Sequence, residues 1–330
     1  MTSTLTRRTL LATALIVPIA GRARARSPRV LDLIEAPSHL GLRPPKAGVE
    51  PGTWRGPAAL EAAGLSGALR PARHVRLDRP TYTAHPVAGT RMRNGVALRA
   101  FGLALAAEVE RSLRRGAIPI VVGGDCSNVL GCMAGLRRAG GRGLVHIDGH
   151  SDFSVLDDDA RTRLGAAAGM DLALATGRGE PLLTAWPAVR GPLVEDRDAI
   201  QVGEREDIAG YPGLDQTAIE RIPIHEVHKA GVAATAERVL RRMRTRALDR
   251  AWLHIDLDVL DQAVMPAVDS PGSPGLAYDE LADLVRALLR ADRIAGLDVA
   301  IYDPDLDPDG RYAPRIVACI AAMLELEVPR

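Results

Sequence analysis

A chain of 330 residues, 47% hydrophobic and 25% charged, is long enough to bury a substantial core as one large α/β domain or two smaller ones. Its formal net charge of +1 and its 3% of aromatic residues give no electrostatic footprint for nucleic acid and no stacking platform for bases or sugars. Lys46 and Lys229 are the only lysines, so the cations are nearly all arginine.

The N-terminus departs from this average. Arg7 and Arg8 precede an apolar run over residues 10–20 and the small-residue pattern Ala23-Arg24-Ala25. A charged start, a short apolar stretch and an A-x-A site describe a secretory signal, and the run is too short to span a bilayer. The adjacent arginines resemble a twin-arginine leader, the type carried by proteins that fold before export. Residues 1–25 are therefore expected to be removed on export to the periplasm or beyond, leaving 26–330 as a single domain. If the leader does not function, the chain stays cytoplasmic. No later segment reads as a membrane span. Cys126, Cys132 and Cys319 are an odd number, which rules out a complete disulfide framework. A Cys126–Cys132 bridge and buried thiols both remain open.

Past the leader, helical and strand patterns alternate without a long linker or an internal repeat. Residues 94–116 form an amphipathic helical pattern, with Asn94 as its N-cap and Gly116 as its stop. The apolar run 118–122 suits a buried strand, and 127–139 a further helix. Strand-like segments follow at 143–148, 199–202, 251–257 and 294–301, with helices at 234–246, 278–290 and 313–326. Strands regularly separated by helices predict an α/β fold, a mainly parallel sheet covered on both faces. In such sheets, sites lie at the carboxyl ends of the strands.

Two of those ends carry clustered acids. The strand before Asp148 runs into Asp148-Gly149-His150-Ser151-Asp152, and the strand before Asp256 into Asp256-Leu257-Asp258, with Asp261 three further on. Alternate residues of an extended chain face the same way, so Asp148, His150 and Asp152 can converge, as can Asp256 and Asp258. Carboxylates gathered in this way repel and raise one another's pKa values, and a pair of divalent ions removes the conflict. Hard oxygen donors with one imidazole suit Mn²⁺ or a similar ion.

These residues carry a family resemblance over nearly all of the mature length. Gly48-Val49-Glu50-Pro51-Gly52 with Gly56-Pro57-Ala58-Ala59-Leu60, Gly123-Gly124-Asp125-Cys126-Ser127, Asp148-Gly149-His150-Ser151-Asp152, Gly203-Glu204-Arg205 and Asp256-Leu257-Asp258-Val259-Leu260-Asp261 occur in the order found in the ureohydrolases, the arginases and agmatinases. The resemblance implies a three-layer αβα fold, a homo-oligomer (trimer or hexamer) and two Mn²⁺ ions sharing a hydroxide that attacks a trigonal carbon of a small-molecule substrate. It implies that Asp148 and Asp256 bridge the metals, that Asp152 serves one ion, and that His150 and Asp258 serve the other. Asp125 is expected to hold a ligand in place.

Three departures bear on chemistry. Cys126 stands where the family has a metal-binding histidine. As a thiolate ligand it would favour Zn²⁺ or Fe²⁺, and as a buried thiol it would leave that site weak. Ala168 corresponds to the family's proton-shuttling histidine. Ile301 falls where the family's glutamate grips the guanidinium, and an isoleucine cannot pair with a cation. His146 and His254 each stand two residues before an aspartate, so each is either a support for a ligand or a satisfied core histidine. His254 is also a candidate for proton transfer. Ser154, Asp269 and Asp303 are candidate substrate-pocket residues, the two acids as displaced contacts for a cationic group. His225 and His228 lie off both clusters and suit structure or surface, and Asp157-Asp158-Asp159 suits a solvated loop. Two functions follow: a metal-dependent hydrolase cutting a C–N bond of a small amidine, amide or modified guanidine compound other than plain arginine, or a non-catalytic homologue that binds metal or ligand.

Overall fold

The computed structural model describes residues 29–156, 164–205 and 213–326. The leader and Asp157-Asp158-Asp159 lie outside the described residues. Eight strands form one sheet: β1 (Leu31–Glu35), β2 (Arg73–Arg76), β3 (Ile118–Val122), β4 (Leu144–Ile147), β5 (Ala199–Val202), β6 (Glu220–Ile222), β7 (Ala251–Asp256) and β8 (Ile294–Ala300). Their order is β2-β1-β3-β8-β7-β4-β5-β6. Every pairing is parallel.

Alternation along the central strands feeds two separate cores. Val145, Ile147, Leu253 and Ile255 pack beneath the helices Val232–Thr245, Tyr278–Arg290 and Tyr312–Met323. Leu144 and Trp252 pack on the other face, beneath Gly95–Arg114, Asn128–Arg138 and Asp171–Ala175. The result is the three-layer αβα arrangement that the alternating pattern predicts. The helix Tyr278–Arg290 shows the local logic. Leu281, Leu284, Val285 and Leu288 recur on one stripe and are fully buried, each contributing about 1.5–3 kcal/mol of transfer free energy. The Glu280 side chain accepts from the Ala277 N–H at 2.8 Å and so closes the helix start.

Gly116 ends the Gly95–Arg114 helix segment at a positive φ of 76°, as expected of a stop residue. Asn94 does not act as a side-chain cap. It sits at φ 54° and spends its amide on two loops, accepting from the Thr83 N–H and donating to the Leu40 carbonyl. All three cysteines are free and buried, which closes the Cys126–Cys132 alternative. Among the described residues no helix is long and apolar enough to cross a membrane.

Candidate metal centre

β4 and β7 are neighbours with Ile147 opposite Ile255, so Asp148 and Asp256 reach the carboxyl edge of the sheet at the same height. Each chain then turns back on its own carboxylate. Asp148 Oδ1 accepts from the His150 N–H at 2.6 Å, and Asp256 Oδ1 accepts from the Asp258 N–H at 2.7 Å. The two turns bring His150 and Asp258 together, with Nδ1 2.8 Å from Oδ2, while Asp258 Oδ1 accepts from the Gly149 N–H at 3.0 Å. Donor atoms of Asp148, His150 and Asp258 all lie within 4.8 Å of one another. Asp152 follows at φ 44°, a left-handed conformation that aspartate tolerates.

Cys126 arrives from the end of β3. Gly123 and Gly124 both have positive φ, 86° and 78°. A Cβ on Gly123 would stand 2.2 Å from the Pro57 side chain, and one on Gly124 2.5 Å from the Ala36 carbonyl. Only glycine carries the chain round this corner. Asp125 accepts from Ser38 Oγ at 2.8 Å and from the Ser127 N–H at 3.1 Å. These bonds hold the turn that carries Cys126. Cys126 Sγ donates to Asp256 Oδ2 at 2.5 Å.

The electrostatics call for cations. Burial, then Asp152 and Asp256, raise the Asp148 carboxyl well above the usual carboxylate range. Burial and then Asp258 raise Asp256, and burial and then Asp256 raise the Cys126 thiol. The nearby guanidinium of Arg205 lies 3.8 Å from Asp258 Oδ1. Asp148 Oδ2 is buried without a hydrogen-bond partner among the described residues. A divalent ion would satisfy that oxygen and neutralise its neighbours, and the donor set of carboxylates and one imidazole fits such an ion.

A cavity of about 480 Å³ opens over the cluster, lined by Cys126, His150, Asp152, Asp256 and Asp258 and, further out in sequence, by Ser154 and Asp269. Ala168 and Ile301 also line it, so the two positions where the resemblance implies a histidine and a glutamate present apolar groups to the cavity. Ile301 holds a φ of 73°, which is rare for a β-branched residue.

Asp303 does not line the cavity. Its Oδ2 accepts from the Gly52 N–H at 3.0 Å and its Oδ1 from the Asp305 N–H at 2.9 Å, which commits it to the Pro304–Leu306 turn and corrects its expected place in the pocket. His254 does not line it either. It is fully buried, and its Nδ1 lies 2.6 Å from Asp298 Oδ2, so a direct proton transfer to substrate is not open to it. His225 and His228 are exposed on the helix Ile224–Ala230, away from the cavity.

Two contributors carry no sequence signal. Asp171, fully buried, opens the short helix Asp171–Ala175 and places Oδ1 3.0 Å from His146 Nε2. Gln201 on β5 places Oε1 2.6 Å from His146 Nδ1. Burial pushes His146 down to about 4, leaving it neutral near pH 7.

A family model described as the arginase family matches residues 44–326. An arginase from Bacillus caldovelox is 29% identical over 241 residues, 72% of this chain and 79% of its own length. The solved structure of arginase from Bacillus caldovelox superposes with a TM-score of 0.78 at 26% identity, covering 91% of this chain and all of that one. A formimidoylglutamase from Bacillus subtilis shares the fold at a TM-score of 0.67 and 17% identity, covering 91% of this chain and 88% of that one. With residues 44–326 matched, most of its length, the chain belongs to the arginase family.

Proposed function

We propose that this protein is a metal-dependent hydrolase that cuts a C–N bond of a small amidine, amide or modified guanidine compound, and that plain arginine is not its substrate. The observation that carries the reading is the pairing of an intact acidic cluster with apolar Ala168 and Ile301 on the same cavity. Asp148, Asp152, Asp256, Asp258 and His150 would hold two divalent ions, Mn²⁺ by family and Zn²⁺ or Fe²⁺ where Cys126 takes part. When bound, such ions supply positive charge and make water acidic enough to attack a trigonal carbon near neutral pH.

The chain's own groups do the rest. Asp148 and Asp256, fixed by the turns they accept from, orient the attacking side of the cavity. Asp269 opens onto the cavity, and partial loss of solvent raises its carboxyl above the usual range. It is suited to hand a proton to the departing amine. Ile301 offers no anion to a guanidinium, while Arg43 and Arg91 line the same cavity and suit a substrate with an acidic group. The leader would export the chain, and a homo-oligomer is the assembly expected of it.

The test is a panel of guanidino, amidine and amide compounds incubated with protein reconstituted with Mn²⁺, Zn²⁺ or Fe²⁺, following ammonia, amine or urea release. Cleavage of an amidine or amide with arginine untouched is the expected result. Metal uptake with no cleavage across the panel would favour the second reading, binding without turnover, to which Ala168 and Ile301 also lend themselves.

A further inference from the structure

The polar residues around the strand ends fall into two donor groups of different chemistry. His146 and His254 are register partners on β4 and β7, with ring centroids 4.7 Å apart, on the face that also carries Leu144 and Trp252. Both imidazoles have Nδ1 committed. His254 Nδ1 is held by Asp298 Oδ2, whose other oxygen accepts from Trp252 Nε1 at 2.5 Å. His146 Nδ1 is held by Gln201 Oε1, and Gln201 Nε2 donates to the His150 carbonyl at 2.6 Å, which fixes the amide with its oxygen toward the ring. An acceptor at Nδ1 keeps the proton there and turns Nε2 of a neutral ring into a lone-pair donor.

His254 Nε2 is buried and has no hydrogen-bond partner among the described residues, and neither has Asp171 Oδ2. Once Asp171 is ionised, as a metal ligand must be, these are two acceptors that cannot satisfy each other. Donor atoms of Cys126, Asp171 and His254 lie within 4.8 Å of one another, a span that ligands of one small ion can occupy. Asp148 groups with His146 and His254 on one side and with His150 and Asp258 on the other, and so stands between the two.

We propose that Cys126, Asp171 and His254 form a thiolate-bearing metal position beside the Asp148–His150–Asp258 position, so that the centre holds two unlike ions. A thiophilic ion such as Zn²⁺ takes the first position and a hard ion such as Mn²⁺ the second. Binding would displace the Cys126 S–H proton, and any proton held by the Asp171 carboxyl, to solvent as Sγ and the carboxylate turn to the ion. Asp298 then acts as a positioning residue, holding the His254 tautomer that ligation needs. The inference rests on reading the strand-end cluster as a metal centre and adds which ion each end selects.

The test uses the metal-free full chain under anaerobic conditions. Cobalt(II) is titrated in, and thiolate-to-cobalt charge transfer is followed in the near ultraviolet. Two equivalents should bind, one of them with the charge-transfer band. Cys126→Ser should lose the band, and Asp171→Asn and His254→Asn should weaken cobalt at that position by about tenfold or more. Melting of each metal-free variant shows whether it folds. The unmutated protein gives a second measurement: offered equal Zn²⁺ and Mn²⁺, it should retain one of each per chain. Two equivalents without a band, a band undiminished in the Asp171 and His254 variants, or two ions of one kind would each overturn the proposal while leaving a metal centre in place. No cobalt bound at all would overturn the metal-centre reading as well.

Discussion

Asp298 faces His254 across the ladder between β7 and β8 and takes its Nδ1 at 2.6 Å, while its second oxygen takes Trp252 Nε1. One buried carboxylate thereby sets both the tautomer and the ring orientation of a histidine that never reaches solvent. Asp298→Asn keeps a single acceptor oxygen where the aspartate uses two. Metal affinity should fall by about 10–100-fold in chelator competition. An unchanged affinity would show that His254 takes no part in holding metal.

Asp148 belongs to donor groups on both sides of the centre, and Asp256 accepts from Cys126 and lines the cavity. Asp148→Asn or Asp256→Ala should lower metal-dependent turnover by at least about a thousandfold, because several kcal/mol of charge stabilisation depends on them and each 1.36 kcal/mol is tenfold. Metal-free Asp148→Asn should also be more stable than the metal-free parent near neutral pH, since the buried carboxyl that burial and its acidic neighbours disfavour in its charged form is gone. Calorimetry on the apoproteins checks this, and a destabilised variant would mean that Asp148 is not under electrostatic strain.

Ile301 lines the cavity, and the sequence resemblance matches it to the glutamate expected to grip a guanidinium. Ile301→Glu should bring in binding of arginine or agmatine that the parent lacks, measured by calorimetric titration of the metal-loaded protein. If both proteins bind arginine alike, the loss of the anion at this position does not decide specificity.

The same buried groups set a pH dependence for the metal-free protein. Asp148, Asp171 and Asp256 have carboxyls raised above the unfolded value, so the folded state binds more protons than the unfolded state, and stability falls as pH rises. His146, lowered from 6.5 to about 4, acts the other way between those two values. Denaturant unfolding should therefore show that the carboxylates cost the apoprotein stability as pH rises above the ordinary carboxylate range, opposed by His146 and by His39, whose pKa burial also lowers, with the carboxylate contribution abolished by metal. A pH profile that is the same with and without metal would contradict the assignment.

Much of the architecture is legible because periodicity is a local property. The strand at 199–202 and the helix at 278–290 coincide with β5 and Tyr278–Arg290, where apolar spacing is regular. β1, β2 and β6 pass unmarked: Leu31–Glu35 carries two acids, Arg73–Arg76 alternates between half-buried and exposed residues, and Glu220–Ile222 is three residues long. At the site, Asp148, His150, Asp256 and Asp258 can be found because each pair follows one strand. Asp171 cannot be, since it meets His146 from 25 positions away at the head of the otherwise apolar stretch Leu172-Ala173-Leu174-Ala175. Asp303 misleads for the opposite reason. It lies close to Ile301 in sequence, but the turn after β8 gives both its oxygens to backbone N–H groups.

The most direct measurement is metal content paired with turnover, on protein purified without a chelating tag. The account predicts two divalent ions per chain, loss of C–N bond hydrolysis when a chelator removes them, and its return on reconstitution. Hydrolysis that persists in metal-free protein would contradict it.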